Sequence, residues 1–238
     1  RLLVVTMTEY APEFNAKVAY PPDHIIAPLG KVLADHGKTQ IRIAETEKYA
    51  LVTYFFNGYR TDPFPNEYHV LVPSRNVPSV ASAPEMMAHE VAARVIESIE
   101  GGGFDFILAN FANADMVAHT GDLDSAIKAI NVIDEQLGRL RDATLRHQGT
   151  LLITADHGHV ERMLDPLTGA KENRHSQSLV PLYVVGVPYE RAKSEAQALA
   201  IEEVASGILS DVAPTVLELM GIPKPDEMTG QSLLRILR

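Results

Sequence analysis

The stretch LLITADHGHV, Leu151–Val160, sets a run of apolar and β-branched residues directly before Asp156 and His157, with Gly158 behind them. A run this short, bounded by a polar cluster, reads as a buried strand over Leu151–Thr154 that delivers two polar side chains where it ends. Similar runs recur at Leu2–Val5, Ile41–Ala44, Val70–Val72, Phe106–Ala109 and Leu182–Val185, and helical patterns separate most of them. The clearest helix spans Asp122 to His147, where Leu123, Ile127, Ile130, Ile133, Leu137 and Leu140 recur at three- and four-residue steps and Gly149 marks the stop. A second is expected to start near Ser82 as N-cap, with Pro84 and Glu85 in its first turn, and to end at Gly101–Gly103. A third follows Asp211 through Leu219, ahead of Gly221 and Pro223. Strands alternating with helices at this spacing predict an α/β fold, a mostly parallel sheet with helices on both faces. In such sheets chemistry collects at the carboxyl ends of strands, which is where Asp156 and His157 fall.

Of the 238 residues, 46% are hydrophobic and 22% charged, the balance of a folded globular protein. The formal charge of -10 and a pI near 5.3 argue against a nucleic-acid binder or a membrane-surface protein, both of which present basic patches. An anionic substrate would need local positive charge here, and bound metal ions can supply it. The absence of cysteine excludes disulfides and thiolate chemistry. No apolar run reaches the length of a membrane span and no signal segment opens the chain, so a cytoplasmic enzyme is expected. A sequence that opens on Arg1 and moves at once into the strand-like Leu2–Val5 reads as one that begins partway through a larger protein. The Tyr- and Pro-rich stretch Glu9–His24 has no period and reads as a linker or hinge.

Chemistry-bearing residues gather near the expected strand ends. Asp115 and His119, four residues apart after Phe106–Ala109, can face one side of a helical turn and share a metal ion; a solvated turn is the alternative. Asp156 and His157 can both reach a nearby ion from a strand-to-loop transition, unless Asp156 merely caps the following turn. His175 precedes the last strand run. Together these groups suit two ions, one held by Asp115, His119 and His175 and a second by Asp156 and His157, with manganese or zinc favoured by mixed Asp and His donors. Lys48 follows a strand beside Glu45 and Glu47 and can hold a phosphate as a point charge, or pair with one of those glutamates at the surface.

The runs VTMTEY, QIRIAETEKYALVTYFFNG, PFPNE, DFILANFANADMVAHTGDLDSAIKAI, GTLLITADHGHVERM and DVAPTVLELMGIPKPDEMTGQSLL cover almost the whole chain. In order and spacing the sequence resembles the cofactor-independent phosphoglycerate mutase family of the alkaline phosphatase superfamily. The resemblance implies an alkaline phosphatase-like domain with two manganese ions, or other divalent metals, acting on phosphoglycerate. In that family 3-phosphoglycerate and 2-phosphoglycerate are interconverted in glycolysis through a phosphoserine. It implies Asp115, His119 and His175 at one manganese, Asp156 and His157 at the other, and Lys48 at the transferred phosphate. It also implies that residues 1–22 are the tail of a transferase domain and a hinge near Val18–Pro22, and that residues 23–238 are the phosphatase domain without its first segment. The family's nucleophilic serine and substrate-clamping arginines would lie upstream of Arg1, so this length alone is expected not to complete the cycle, while the whole protein is expected to be monomeric. The other readings are a phosphopentomutase or phosphatase of the same superfamily, or a non-catalytic metal-binding fragment.

Some matched positions depart from the family pattern. Tyr59 and Asn66 stand where glycines are common, and ENRHSQS replaces a run containing threonine and histidine. His159 and Val160 stand where asparagine and alanine are usual; His159 reads as an exposed histidine at a helix start, with an outer contact to the metal site as the alternative. Ser176, beside His175, reads as a hydrogen-bond donor supporting the site.

Overall fold

The computed structural model describes residues 2–9, 13–21, 25–202 and 204–237. In chain order the strands are β1 (Val5–Thr6), β2 (Lys17–Val18), β3 (Gln40–Glu45), β4 (Glu67–Val72), β5 (Phe106–Asn110), β6 (Leu151–Thr154) and β7 (Leu182–Val185). The helices are α1 (Leu29–Asp35), α2 (Thr46–Ala50), α3 (Ala88–Gly101), α4 (Asn113–Ala118), α5 (Leu123–Arg146), α6 (Glu195–Glu202), α7 (Val212–Leu219) and α8 (Leu234–Leu237). Among the described residues no helix is long and apolar enough to cross a membrane.

The central element is β3, which pairs in parallel with β4 on one side and β5 on the other, in the order β4-β3-β5. Its alternation follows the pleat. Ile41 and Ile43 pack with Val91, Ala92 and Val95 of α3 and Leu140 of α5. Gln40 and Arg42 point the other way: Gln40 Nε2 donates to Gly30 O at 2.8 Å, and the Arg42 guanidinium lies between the rings of Phe56 and Phe106, at 4.6 and 5.2 Å. Burial lowers the Arg42 pKa to about 10, against the opposing charge of Glu67. A second cluster, Leu29, Val32 and Leu33 of α1 with Val216 and Leu217 of α7, covers this other face. Helices therefore cover both faces, as the alternation of elements predicts.

The antiparallel β6–β7 pair departs from the parallel expectation, with Leu151 opposite Val185 and Thr154 opposite Leu182. Between the two strands the chain doubles back through single bridges, Gly158 to Ser176 and Leu164 to Lys171, so it returns without the crossover helix that a parallel pair requires. β5 and β6 are not hydrogen-bonded to each other. They nevertheless sit in the same layer, because Ile107 and Leu151 reach one core cluster while Phe106 and Leu152 reach the opposite one. Their carboxyl ends are thereby brought side by side.

Other boundaries differ from expectation for local reasons. The hydroxyl of Ser82 donates to Ser79 O instead of capping a helix, so a 3-10 turn fills Val80–Ser82 and α3 starts at Ala88. The left-handed residue that ends α5 is Gln148, at φ 55°, with Gly149 N closing onto Thr144 O at 2.9 Å. The first strand forms at Val5–Thr6, paired in parallel with β2, and leaves Leu2 and Leu3 exposed. Within Glu9–His24, Lys17–Val18 is a strand, and residues 10–12 and 22–24 lie outside the described ones.

Candidate metal centre

Two chain segments build the centre. The first leaves β5 and enters α4, a short helix anchored by the buried Asn113, whose Nδ2 donates to Pro84 O at 2.9 Å and Glu85 O at 2.6 Å. Asp115 lies in the first turn of α4 and His119 follows its last residue, so the four-residue spacing sets both on one face. His119 Nε2 is 3.3 Å from Asp115 Oδ1. The other ring nitrogen, Nδ1, donates to Asn173 O at 3.0 Å; since a carbonyl only accepts, the proton sits on Nδ1 and Nε2 keeps a lone pair for a cation.

The second segment leaves β6 through Ala155, Asp156, His157, Gly158 and His159 into a 3-10 turn, Val160–Arg162. Ser176 N donates to Gly158 O at 2.8 Å, and this bridge holds the histidines flanking Gly158 beside His175. The His157 ring stacks on His175 with centroids 3.6 Å apart. His175 Nε2 lies 3.2 Å from both Asp115 Oδ1 and His119 Nε2.

His159 joins them, contrary to the expectation of an exposed helix-start residue. Its side chain is 3% exposed, its Nδ1 is 2.8 Å from Asp115 Oδ1, and its ring meets that of His119 edge-on at 4.4 Å. Donor atoms of Asp115, His119, His159 and His175 all fall within 4.8 Å of one another. No local spacing signalled it: His159 has a non-extended backbone, φ -160° and ψ -64°, and reaches Asp115 across 44 residues of sequence.

Lys48, at the end of β3 in α2, approaches from the other side and its ammonium pairs with Asp115 Oδ2. The surface pairing with Glu45 or Glu47 does not form; Glu47 instead accepts from Ser74, and Glu45 is buried against Met87 N. Burial alone would raise the Asp115 pKa. The hydrogen bonds from Lys48 and His159 and the charge of Lys48 outweigh it and hold the group at about 2. Burial and the neighbouring His157 lower the His175 pKa, which favours the neutral ring that a metal needs. Ser176 donates to Glu161, and Glu161 Oε2 accepts from His159 N at 2.7 Å, so Ser176 supports the loop that carries His159.

Asp156 stands apart from the four-donor cluster. Its side chain is 68% exposed with His157 Nε2 at 3.6 Å, and it does not cap the turn that follows.

The donor set fits a divalent cation. Metal-to-ligand distances near 2.0–2.1 Å put the edges of a tetrahedron at about 3.3 Å, and the contacts to Asp115 Oδ1 span 2.8 to 3.3 Å. Two imidazole nitrogens facing each other at 3.2 Å share at most one proton, whereas a cation between them satisfies both lone pairs. Carboxylate and imidazole donors suit zinc, cobalt or manganese.

Residues 18–224 match the metalloenzyme superfamily, and the chain belongs to it. Its likeness to particular members is narrower. It is 46% identical over 233 residues to the 2,3-bisphosphoglycerate-independent phosphoglycerate mutase of Thermomicrobium roseum, covering 98% of this chain and 43% of that protein. The mutase of the same name from Acinetobacter baylyi is 44% identical over 232 residues, again 98% of this chain and 43% of the relative. The chain thus spans less than half the length of these curated relatives. Among solved structures, a phosphoglycerate mutase of Leishmania mexicana crystallised at low cobalt concentration superposes with a TM-score of 0.79 at 27% identity, over 95% of this chain and 43% of that one. The PH0037 protein of Pyrococcus horikoshii, at 16% identity and a TM-score of 0.50 over 81% of this chain and 52% of that one, shares the fold.

Proposed function

We propose that this chain is the metal-binding domain of a cofactor-independent phosphoglycerate mutase, interconverting 3-phosphoglycerate and 2-phosphoglycerate in glycolysis through a phosphoserine. The observation that carries the reading is the pairing of Lys48 with Asp115 at the rim of a carboxylate and imidazole cluster, which concentrates cationic chemistry on a chain of net charge -10. Phosphoryl transfer needs that local charge. In this reading Asp115, His119 and His175 hold one divalent ion, manganese or another metal, and Asp156 and His157 belong to a second. The ions would supply charge neutralisation for phosphate oxygens and activation of the nucleophile. Asp115 stays ionised because Lys48 and His159 hydrogen-bond to it, His119 is oriented by Asn173 O, and Lys48 turns its ammonium to the transferring phosphoryl group when phosphate is bound. Residues 1–22 would be the tail of a transferase domain with its hinge, and 23–238 the phosphatase domain. The nucleophilic serine and the arginine clamp would come from sequence outside this length. The location would be cytoplasmic and the whole protein a monomer.

The test is a coupled assay of the whole protein with 3-phosphoglycerate and manganese, without 2,3-bisphosphoglycerate. Interconversion is expected, residues 1–238 alone should show none, and Lys48→Met in the whole protein should lower kcat by roughly 10²–10³-fold. Turnover confined to phosphopentoses or to simple phosphate-ester hydrolysis would overturn the reading in favour of another member of the superfamily.

A further inference from the structure

We infer that His159 is a fourth protein donor to the ion held by Asp115, His119 and His175, giving a three-histidine, one-carboxylate set that selects a tetrahedral metal such as zinc or cobalt over manganese at that position. The inference rests on the metal-binding reading of this cluster and goes beyond it, since the ligand set proposed above is complete without His159.

Position is the first support. Three ring nitrogens, Nδ1 of His159 and Nε2 of His119 and His175, lie 2.8, 3.3 and 3.2 Å from the single oxygen Asp115 Oδ1. His159 is the nearest of the three. A group that only buttressed the carboxylate from outside would be expected behind it, away from the other donors, yet the His159 ring meets both His119 and His175 edge-on, at 4.4 and 5.2 Å.

Immobility is the second. The His119 and His175 side chains are 44% and 48% exposed and can swing toward water, but that of His159 is 3% exposed. Its backbone is pinned on both sides: His159 N donates to Glu161 Oε2 at 2.7 Å, and Gly158 is bridged to Ser176. A ring this buried cannot leave when a cation enters between it and Asp115.

Proton placement is the third. No carbonyl fixes the far side of the ring, because His159 Nε2 is buried and finds no hydrogen-bond partner among the described residues. Apart from Asp115 itself, nothing therefore ties the ring proton to Nδ1. In the tautomer with its proton on Nε2, the neutral ring presents the Nδ1 lone pair to a cation beside Asp115. Three imidazole nitrogens and one carboxylate oxygen within 4.8 Å of one another suit zinc and cobalt, whereas manganese prefers more oxygen-rich sites of higher coordination number.

The experiment loads the purified protein with one equivalent of cobalt(II), whose visible bands and hyperfine-shifted, exchangeable imidazole N–H resonances report geometry and count bound histidines. His159→Asn is expected to lose one such resonance, weaken the tetrahedral visible bands and bind cobalt at least about tenfold less tightly, with manganese affinity changed less than cobalt affinity. Unchanged bands and affinity in His159→Asn would overturn the proposal, as would weaker binding with every resonance retained, the mark of a ring that acts only through Asp115. His119→Ala separates the two levels of inference: cobalt binding equal to wild type there would overturn the site itself and His159 with it. X-ray absorption of the cobalt-loaded wild type guards against a variant that fails to fold; three imidazoles per cobalt are expected, and two would refute the assignment.

Discussion

Asp115 shows how much one side chain is asked to do. It accepts from Lys48 on one oxygen and faces three imidazoles on the other, and it stays ionised because those partners outweigh its burial. The residue that brings the imidazoles within reach is Gly158. A Cβ there would collide with Ser176 Oγ and Glu161 Oε1 and come within 3.0 Å of Ser178 Cβ. Gly158→Ala is therefore expected to part the two segments, costing about 1–3 kcal/mol of stability and weakening metal binding by roughly tenfold or more. Isothermal titration with cobalt checks this, and wild-type affinity would show that the bridge does not position the histidines. The Asp115–His119 pair was legible because four residues is a helical repeat, readable from local order alone. The place of His159 was not, because its burial depends on Ser176 and Asp115, which are distant in sequence. Tyr59 and Asn66 show the converse: both adopt positive φ, 68° and 60°, the conformation for which the glycines usual there are suited.

At the scale of elements, α5 separates what periodicity can and cannot specify. Its apolar steps correctly marked a helix, and Asp122 caps it by accepting from Ser125 N at 2.9 Å. The stripe nevertheless divides: Leu140 is buried against β3 and α3, while Leu123, Ile127 and Ile130 stay exposed and Ala126 and Ala129 turn inward. Small residues face inward there because α4 lies close against that end. Leu140→Ala should cost about 2–5 kcal/mol, read as a lowered denaturant midpoint; a loss below about 0.5 kcal/mol would mean that the α3–α5 seam is not part of the cooperative core. Asp211 works through hydrogen bonds: its carboxylate accepts from Gln231 N at 2.7 Å and Ile208 N at 2.9 Å and ties α7 to the chain leading into α8. Those bonds lower its pKa below the unfolded value of about 3.9. A depressed carboxylate stabilises fully above the unfolded pKa and loses that contribution as pH falls through the folded one. Asp211→Asn should thus destabilise by about 1–3 kcal/mol at pH 7, with the gap closing below about pH 4. Equal gaps at pH 7 and pH 3 in urea titrations would refute the charge-dependent part.

For the whole molecule, the centre joins the loops that follow β5 and β6, so a bound ion would cross-link two strands that are not hydrogen-bonded to each other. Metal at about a hundred times its Kd should add about 2.7 kcal/mol and raise Tm by roughly 5–10 °C for a chain of this size. Differential scanning with and without cobalt tests it, and an equal rise in His119→Ala would place the stabilising ion elsewhere. The sequence by itself determined the α/β class, most of the strand runs, the long helix and the shared face of Asp115 and His119, because each rests on short-range periodicity or spacing. Tertiary structure alone decided that β6 and β7 run antiparallel, that Lys48 meets Asp115 in preference to its neighbouring glutamates, and that His159 is buried among the donors. Those outcomes depend on pairings between segments far apart in the chain, chiefly the Gly158–Ser176 bridge and the side-by-side ends of β5 and β6, and no local pattern encodes which distant backbone will satisfy a given hydrogen bond or fill a given space.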